Sequence, residues 1–148
     1  MLLLRRTEMS LTYKISRFED QVYLVGKGRL TAADCIGVVK RVLADPHCHP
    51  ESTALIDLRE AIYETSDMSD IIRVAKSIEK MASLFKNNVA IVARGAIIFP
   101  AELLAFHVRN LACIRIKVFA DLAAAKAFCR KGRLSWEATV KGCGIGRG

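Results

Sequence analysis

Thr53-Ala-Leu-Ile-Asp-Leu58 is the stretch on which the fold turns. Its apolar residues fall on both alternating faces, the pattern of a strand covered on both sides in a parallel or mixed sheet. The polar segment from Arg59 to Thr65 reads as a loop, and a helix is expected to begin near Ser66 or Asp67. Met68, Ile71, Ile72, Ala75, Ile78, Ala82 and Phe85 then recur at three- and four-residue steps, the core stripe of an amphipathic helix. Asp57 is the ionisable residue out of place in this stretch. Either it faces a polar site at the strand end or it bonds nearby loop N–H groups.

Upstream, Leu11 to Phe18 and Gln21 to Gly28 are adjacent β-type runs, and the Glu19-Asp20 link is short enough for an antiparallel hairpin. Thr31 with Asp34 three residues on is a shortened capping box, opening a helix through Ala32, Cys35, Ile36, Val39, Val42 and Leu43 that Asp45-Pro46 ends. Downstream, Asn87-Asn88 interrupts the second helix and Val89 to Ala93 is another buried strand. Arg94 to Pro100 reads as an unusually apolar loop, with Pro100 suited to the first turn of a helix reaching about Asn110. Cys113 to Phe119 alternates as a strand, and Asp121 caps a last short helix expected to end near Gly132. The order ββαβαβαβα describes an α/β domain. Its mixed sheet of about five strands opens with an antiparallel hairpin and continues parallel, with about four helices.

A chain of 148 residues suits one domain. The expected division is a dispensable leader over 1–10, with Met9 as an alternative start, a domain over 11–130, and a basic glycine-rich tail over 131–148. Trp136 fits a tail least well. Gly142-Cys-Gly-Ile-Gly-Arg-Gly148 has neither the preceding strand nor the following helix that a phosphate-cradling loop requires. The opening Met1 to Arg6 places charge after a very short apolar run, the reverse of a secretory signal. Charged residues interrupt every apolar run before the ~18 residues of a membrane span. These features together give an expectation of a cytoplasmic protein.

The net charge of +8 raises the question of nucleic acid. Between Leu11 and Cys129, however, 16 Lys and Arg stand against 13 Asp and Glu, and the end segments hold the other 7 basic and 2 acidic residues. A basic tail adds weak, salt-sensitive affinity for anions. The body has no helix with a one-sided basic row, so no specific nucleic-acid reading follows.

The side chains of catalysis are scattered. Cys35, Cys48, Cys113, Cys129 and Cys143 are odd in number and unpaired in spacing, and suit reduced thiols used largely as small hydrophobes. His47-Cys48-His49 is the nearest approach to a metal cluster, but a structural zinc site wants four ligands and no second pair stands at suitable spacing. His107 falls at helical spacing from Leu103 and Leu104, as a partly buried residue would. No nucleophile stands on a recognisable elbow or beside a base. The expectation is a protein that is not an enzyme, with no metal and no cofactor.

A hairpin, a capped helix, and then Ala54-Leu-Ile-Asp-Leu-Arg59 leading through Ser66-Asp67 to Ile71 resemble the SpoIIAA-like fold, which unites STAS domains with a set of uncharacterised bacterial proteins. The resemblance covers roughly Leu11 to Arg130. It implies a regulatory or protein-interaction domain. In STAS proteins of the antagonist type an Asp-Ser-Ser-Gly segment stands at the helix start, its second Ser being the phosphoacceptor. Thr65, Ser66, Asp67 and Met68 occupy those places here, so only Ser66 matches and the kinase switch does not carry over. Asp67 is then expected to cap the helix.

In open α/β sheets ligands gather beyond the carboxyl ends of the parallel strands. The candidate interaction or ligand surface is accordingly Arg59, Glu60, Tyr63, Glu64, Ser66, Asp67, Arg94 and Phe99. Ile97, Ile98 and Phe99 either pack under the next helix or form the lip of a pocket. The expected partner is a protein. The alternative is a carrier or sensor for a small apolar or anionic molecule, since the same fold group is similar to lipid-transfer domains of the CRAL-TRIO type.

Overall fold

The computed structural model of the chain describes residues 10–48, 52–63, 67–81, 88–111 and 115–139, with the backbone alone at 81, 111 and 131–139. Five strands form one sheet in sequential order. They are β1 (Leu11–Ser16), β2 (Gln21–Leu30), β3 (Thr53–Tyr63), β4 (Val89–Val92) and β5 (Ile116–Phe119). The β1–β2 pair is antiparallel and the other three pairings are parallel, as the order of elements predicts. The helices are α1 (Ala32–Ala44), α2 (Met68–Met81), α3 (Ile98–Leu111) and α4 (Leu122–Thr139).

The two faces of the sheet are covered unequally. Val38 and Val42 of α1, Val74 and Ile78 of α2, and Ala105 and Val108 of α3 pack on Val22, Leu24, Ala54 and Ile91 in the main core. Burying each large aliphatic side chain there contributes about 1.5–3 kcal/mol. On the opposite face, among the described residues, α4 packs through Ala125 and Cys129 against Leu55, Ala90 and Val92. Alternation along β3 and β4 therefore fills both cores, which is why these strands read as continuous apolar runs. Asn88, buried just before β4, donates from its side-chain amide to the Phe128 carbonyl at 2.9 Å and ties α4 to the sheet.

Local signals behave as expected at the helix starts. Thr31 and Asp34 form a reciprocal capping box, with N···O distances of 3.2 and 2.9 Å. Asp121 accepts from the Ala124 N–H at 3.0 Å at the head of α4. Pro100 lies in the first turn of α3, where its missing N–H breaks no helical bond.

Four boundaries differ from expectation. The hairpin turn takes Arg17 to Asp20, so β1 ends at Ser16 instead of reaching Phe18. The stretch from Arg59 is strand and not loop, because β3 runs on to Tyr63 paired with an equally prolonged β2, Lys27 to Leu30 facing Glu60 to Tyr63. The register shifts between Val25, opposite Asp57, and Lys27, opposite Glu60, so β3 spends an extra residue there as a bulge. The run Arg94 to Pro100 is not an open loop either. Gly95, at φ +74°, turns the chain into a short 3-10 segment, Gly95–Ile97, that continues into α3. Finally, α4 passes Gly132 and ends at Thr139, so residues 131–139 are helical and not tail. A single glycine costs a helix only about 1 kcal/mol, too little to stop one flanked by Lys131 and Arg133.

The stripe of α2 is also turned slightly from its expected phase. Ile71, Val74, Ala75 and Ile78 are buried, Ile72 is half-buried, and Met68 is exposed. Ala82, Phe85, residues 1–9 of the segment 1–10 expected to be a leader, Cys113, Cys143 and the side chain of Trp136 lie outside the described residues.

Candidate functional site

The prolonged β3 positions the candidate residues. Its pairing with β4 ends where Asp57 meets Val92, so from Leu58 to Tyr63 it continues beside β2 alone. Gly26 of β2 allows the bulge to close. A Cβ at Gly26 would lie 2.9 Å from Leu58 Cδ2 and 3.2 Å from Leu30 Cδ1. The overhang then alternates: Ala61 is buried, Ile62 exposed and Tyr63 half-buried.

Expected site residues separate onto the two faces. Arg59 turns back along its own strand and clasps Asp57, with Nε–Oδ1 2.9 Å and Nη2–Oδ2 2.7 Å, while its backbone N–H adds a third bond to Oδ1 at 3.1 Å. Of the two readings open for Asp57, bonding to a nearby N–H is the one realised. The Arg59 guanidinium holds the Asp57 carboxyl below the usual carboxylate range, against the opposing pull of burial. Tyr23, which the sequence did not single out, brings its hydroxyl to 3.5 Å from Asp57, and Lys14 stands 5.9 Å above the Tyr23 ring. Arg59 thus has its charge paired with Asp57 on its own strand.

Tyr63 and Arg94 lie on the side of α1 to α3. Tyr63 forms part of a narrow apolar slot of about 50 Å³, whose walls include Leu30, Cys35, Ile71, Val74 and Leu104. Its hydroxyl is buried and meets no hydrogen-bond partner among the described residues. Burial pushes it up to about 12, and Cys35 and Asp70 act in the same direction. Tyr63, Ile97 and Pro100 also border a second cleft of about 230 Å³, on which Ile62, Ala96 and Arg94 stand. The run Ile97 to Phe99 divides between its two expected fates. Ile97 is buried under the sheet end, whereas Ile98 is exposed and Phe99 is 71% exposed.

Asp67 stands immediately before α2 and accepts the Ser69 N–H at 3.0 Å, a cap at the positive end of the helix. Glu60 is exposed; Glu64 and Ser66 lie outside the described residues. Ile62 was missed by sequence reasoning because it fell within the expected polar loop. Its exposure follows from an alternation visible only once β3 is known to continue.

Burial raises Cys35 to about 12 and Cys129 to about 11, so both remain thiols at neutral pH. His47 is engaged with Asp45, its Nδ1 3.2 Å from Oδ1, and His107 is half-buried against Phe106. Among the described residues, no three His, Cys, Asp or Glu side chains converge as a metal site would require, and no helix is long and apolar enough to cross a membrane.

No protein-family model and no curated protein matches the sequence at a significant level. Solved structures do match. An uncharacterised protein of the DUF3478 family from Shewanella loihica PV-4, described as having a SpoIIAA-like fold, superposes with a TM-score of 0.55 at 22% identity, over 81% of this chain and 94% of its own. An anti-sigma factor antagonist from Mycobacterium paratuberculosis gives a TM-score of 0.55 at 17% identity, over 84% of this chain and 97% of its own. The fold is SpoIIAA-like. Within that SpoIIAA-like frame Asp67, which the STAS resemblance sets at the phosphoacceptor place, serves as the cap of α2.

Proposed function

We propose that this protein is a non-catalytic, cytoplasmic regulatory domain that binds a protein partner with the carboxyl end of its sheet. The observation carrying this reading is the grouping of exposed apolar side chains there. Ile62 at the end of β3, Met68 at the start of α2, and Ile98 and Phe99 at the start of α3 all present hydrocarbon to solvent. Such groupings mark interaction surfaces more often than scattered apolar residues do. The likeness to an anti-sigma factor antagonist supports the regulatory class. The partner differs from a phosphorylating kinase in its demands, since a capping carboxylate replaces the acceptor hydroxyl.

The test is co-purification from the native host of wild type and of the paired variant Ile62→Asp with Phe99→Asp. The reading expects a stoichiometric partner lost from the pair and retained by Arg73→Asp, an exposed position on α2. Equal retention by all three proteins would remove this surface from consideration.

A small-molecule carrier or sensor is the second reading, and one specific observation favours it: the narrow apolar slot of about 50 Å³ between β3, α2 and α3.

A further inference from the structure

The two outer strands of the sheet end differently. At the β5 edge, Arg109 of α3 donates to the outward Ile116 carbonyl at 2.8 Å and so occupies it. At the β1 edge, no described residue bonds the outward main chain. Ser10 stands opposite Lys27 and accepts its N–H at 2.8 Å, and bonded and non-bonded pairs alternate along an antiparallel ladder. Thr12, Lys14 and Ser16 therefore bond to β2. Leu11, Tyr13 and Ile15 point their N–H and C=O groups away from it.

Two open hollows flank this edge. One of about 400 Å³ is bordered by Thr12, Lys14, Tyr23, Val25 and Lys27. Lys14, Tyr23 and Leu55 align across the strands, so this hollow is on the face that carries α4. The other, of about 500 Å³, lies beside Tyr13, Ile15, Arg17 and His47. The acids nearby are engaged or set apart. Asp45 accepts the Tyr13 hydroxyl at 2.8 Å and holds His47 at 3.2 Å, and Asp57 is clasped by Arg59. Glu60 stands across from Lys27 on β3, the side of β2 away from the edge, and Glu19 and Asp20 lie beyond β1 in the turn. The exposed charge along the edge itself is that of Lys14 and Lys27.

We infer that β1 takes up an extended acidic peptide as an added strand. Main-chain bonds to Leu11, Tyr13 and Ile15 hold it, its alternate side chains enter the two hollows, and its carboxylates meet Lys14 and Lys27. A lysine on an edge strand ordinarily deters pairing. It deters neutral and basic strands, whereas the same charge attracts one that bears carboxylates. A second copy of this chain brings like charges to the edge and is disfavoured. Ile62 and Phe99 lie off this edge, so either surface can fail without the other.

The experiment is a titration of the isotope-labelled full chain, at low ionic strength, with a short synthetic peptide of alternating valine and glutamate. A peptide of alternating valine and lysine is the control. Amide hydrogen exchange at Leu11, Tyr13 and Ile15 should be fast in the free protein and slowed by the glutamate peptide. Thr12 and Lys14, already bonded to β2, should change little. Lys14→Glu combined with Lys27→Glu should weaken the glutamate peptide roughly fivefold or more, as expected for two cross-strand charge pairs, and should favour the lysine peptide. Lys14→Glu alone should move both affinities in the same directions by less. Binding without slower exchange at the three outward amides would overturn strand addition. Equal affinity for the two peptides, or none for either, would overturn the acidic class. Protection of the same amides by self-association, without peptide, would make a second copy the occupant and overturn the inference.

Discussion

The two halves of β3 obey different rules. From Ala54 to Asp57 the strand is paired on both sides, and Ala54 and Leu55 are fully buried on opposite faces. From Leu58 to Tyr63 it is paired, among the described residues, with β2 alone, carries a bulge, exposes Ile62 to 63%, and buries a hydroxyl that meets no partner among those residues. The first half satisfies each local requirement of a core strand. The second leaves apolar surface and hydrogen-bonding capacity unused, as structures do where they bind something else.

The largest contrast between these halves should come from one substitution made in each. Leu55→Asp would bury an unpaired carboxylate and should abolish the cooperative unfolding transition. Ile62→Asp should change stability by no more than about 0.5 kcal/mol. Urea titrations followed by circular dichroism would compare them, and comparable damage would mean that the overhang is core after all.

The junction between the halves is held by Asp57 and Arg59, whose effect depends on pH. Because Arg59 lowers the carboxyl's folded-state pKa, the pair stabilises fully above the ordinary carboxylate value of about 4 and loses that contribution as pH falls through the folded value. Asp57→Asn should therefore melt below wild type at pH 7, and the gap should narrow in acid. A gap independent of pH would show that shape, not charge, holds the junction. A smaller effect belongs to Gly26→Ala, which must displace Leu58 or Leu30 and should cost about 1 kcal/mol.

How much of this was legible in the sequence depended on whether the cause was local. The Thr31–Asp34 box, the cap at Asp121 and the two-sided apolar run from Ala54 declare themselves within a few residues. The overhang of β3 does not, since Arg59 and Glu60 look like a loop until Lys27 to Leu30 are found beside them. The α2 stripe was readable at Ile71, Ala75 and Ile78 but not at its start: Met68 is exposed, and Val74 takes the buried place expected of Ile72. The slot was invisible because Cys35, Tyr63, Ile71 and Leu104 come from four separate elements.

The smallest effect carries an unusual sign. Tyr63→Phe removes a buried hydroxyl that meets no partner among the described residues and should raise stability by up to about 1 kcal/mol. A loss of stability would show that the hydroxyl is satisfied in solution.

The central claim, that binding takes place at the carboxyl end of the sheet, has a control built into the fold. Phe18 is 97% exposed in the β1–β2 turn, at the opposite end from Ile62. Both are apolar and accessible, so exposure alone cannot distinguish them. A photo-crosslinking side chain placed at position 62, and separately at position 18, in the native host would give the comparison directly. The account predicts a discrete crosslinked species from position 62 and none from position 18. The same species from both positions, or from position 18 alone, would contradict it.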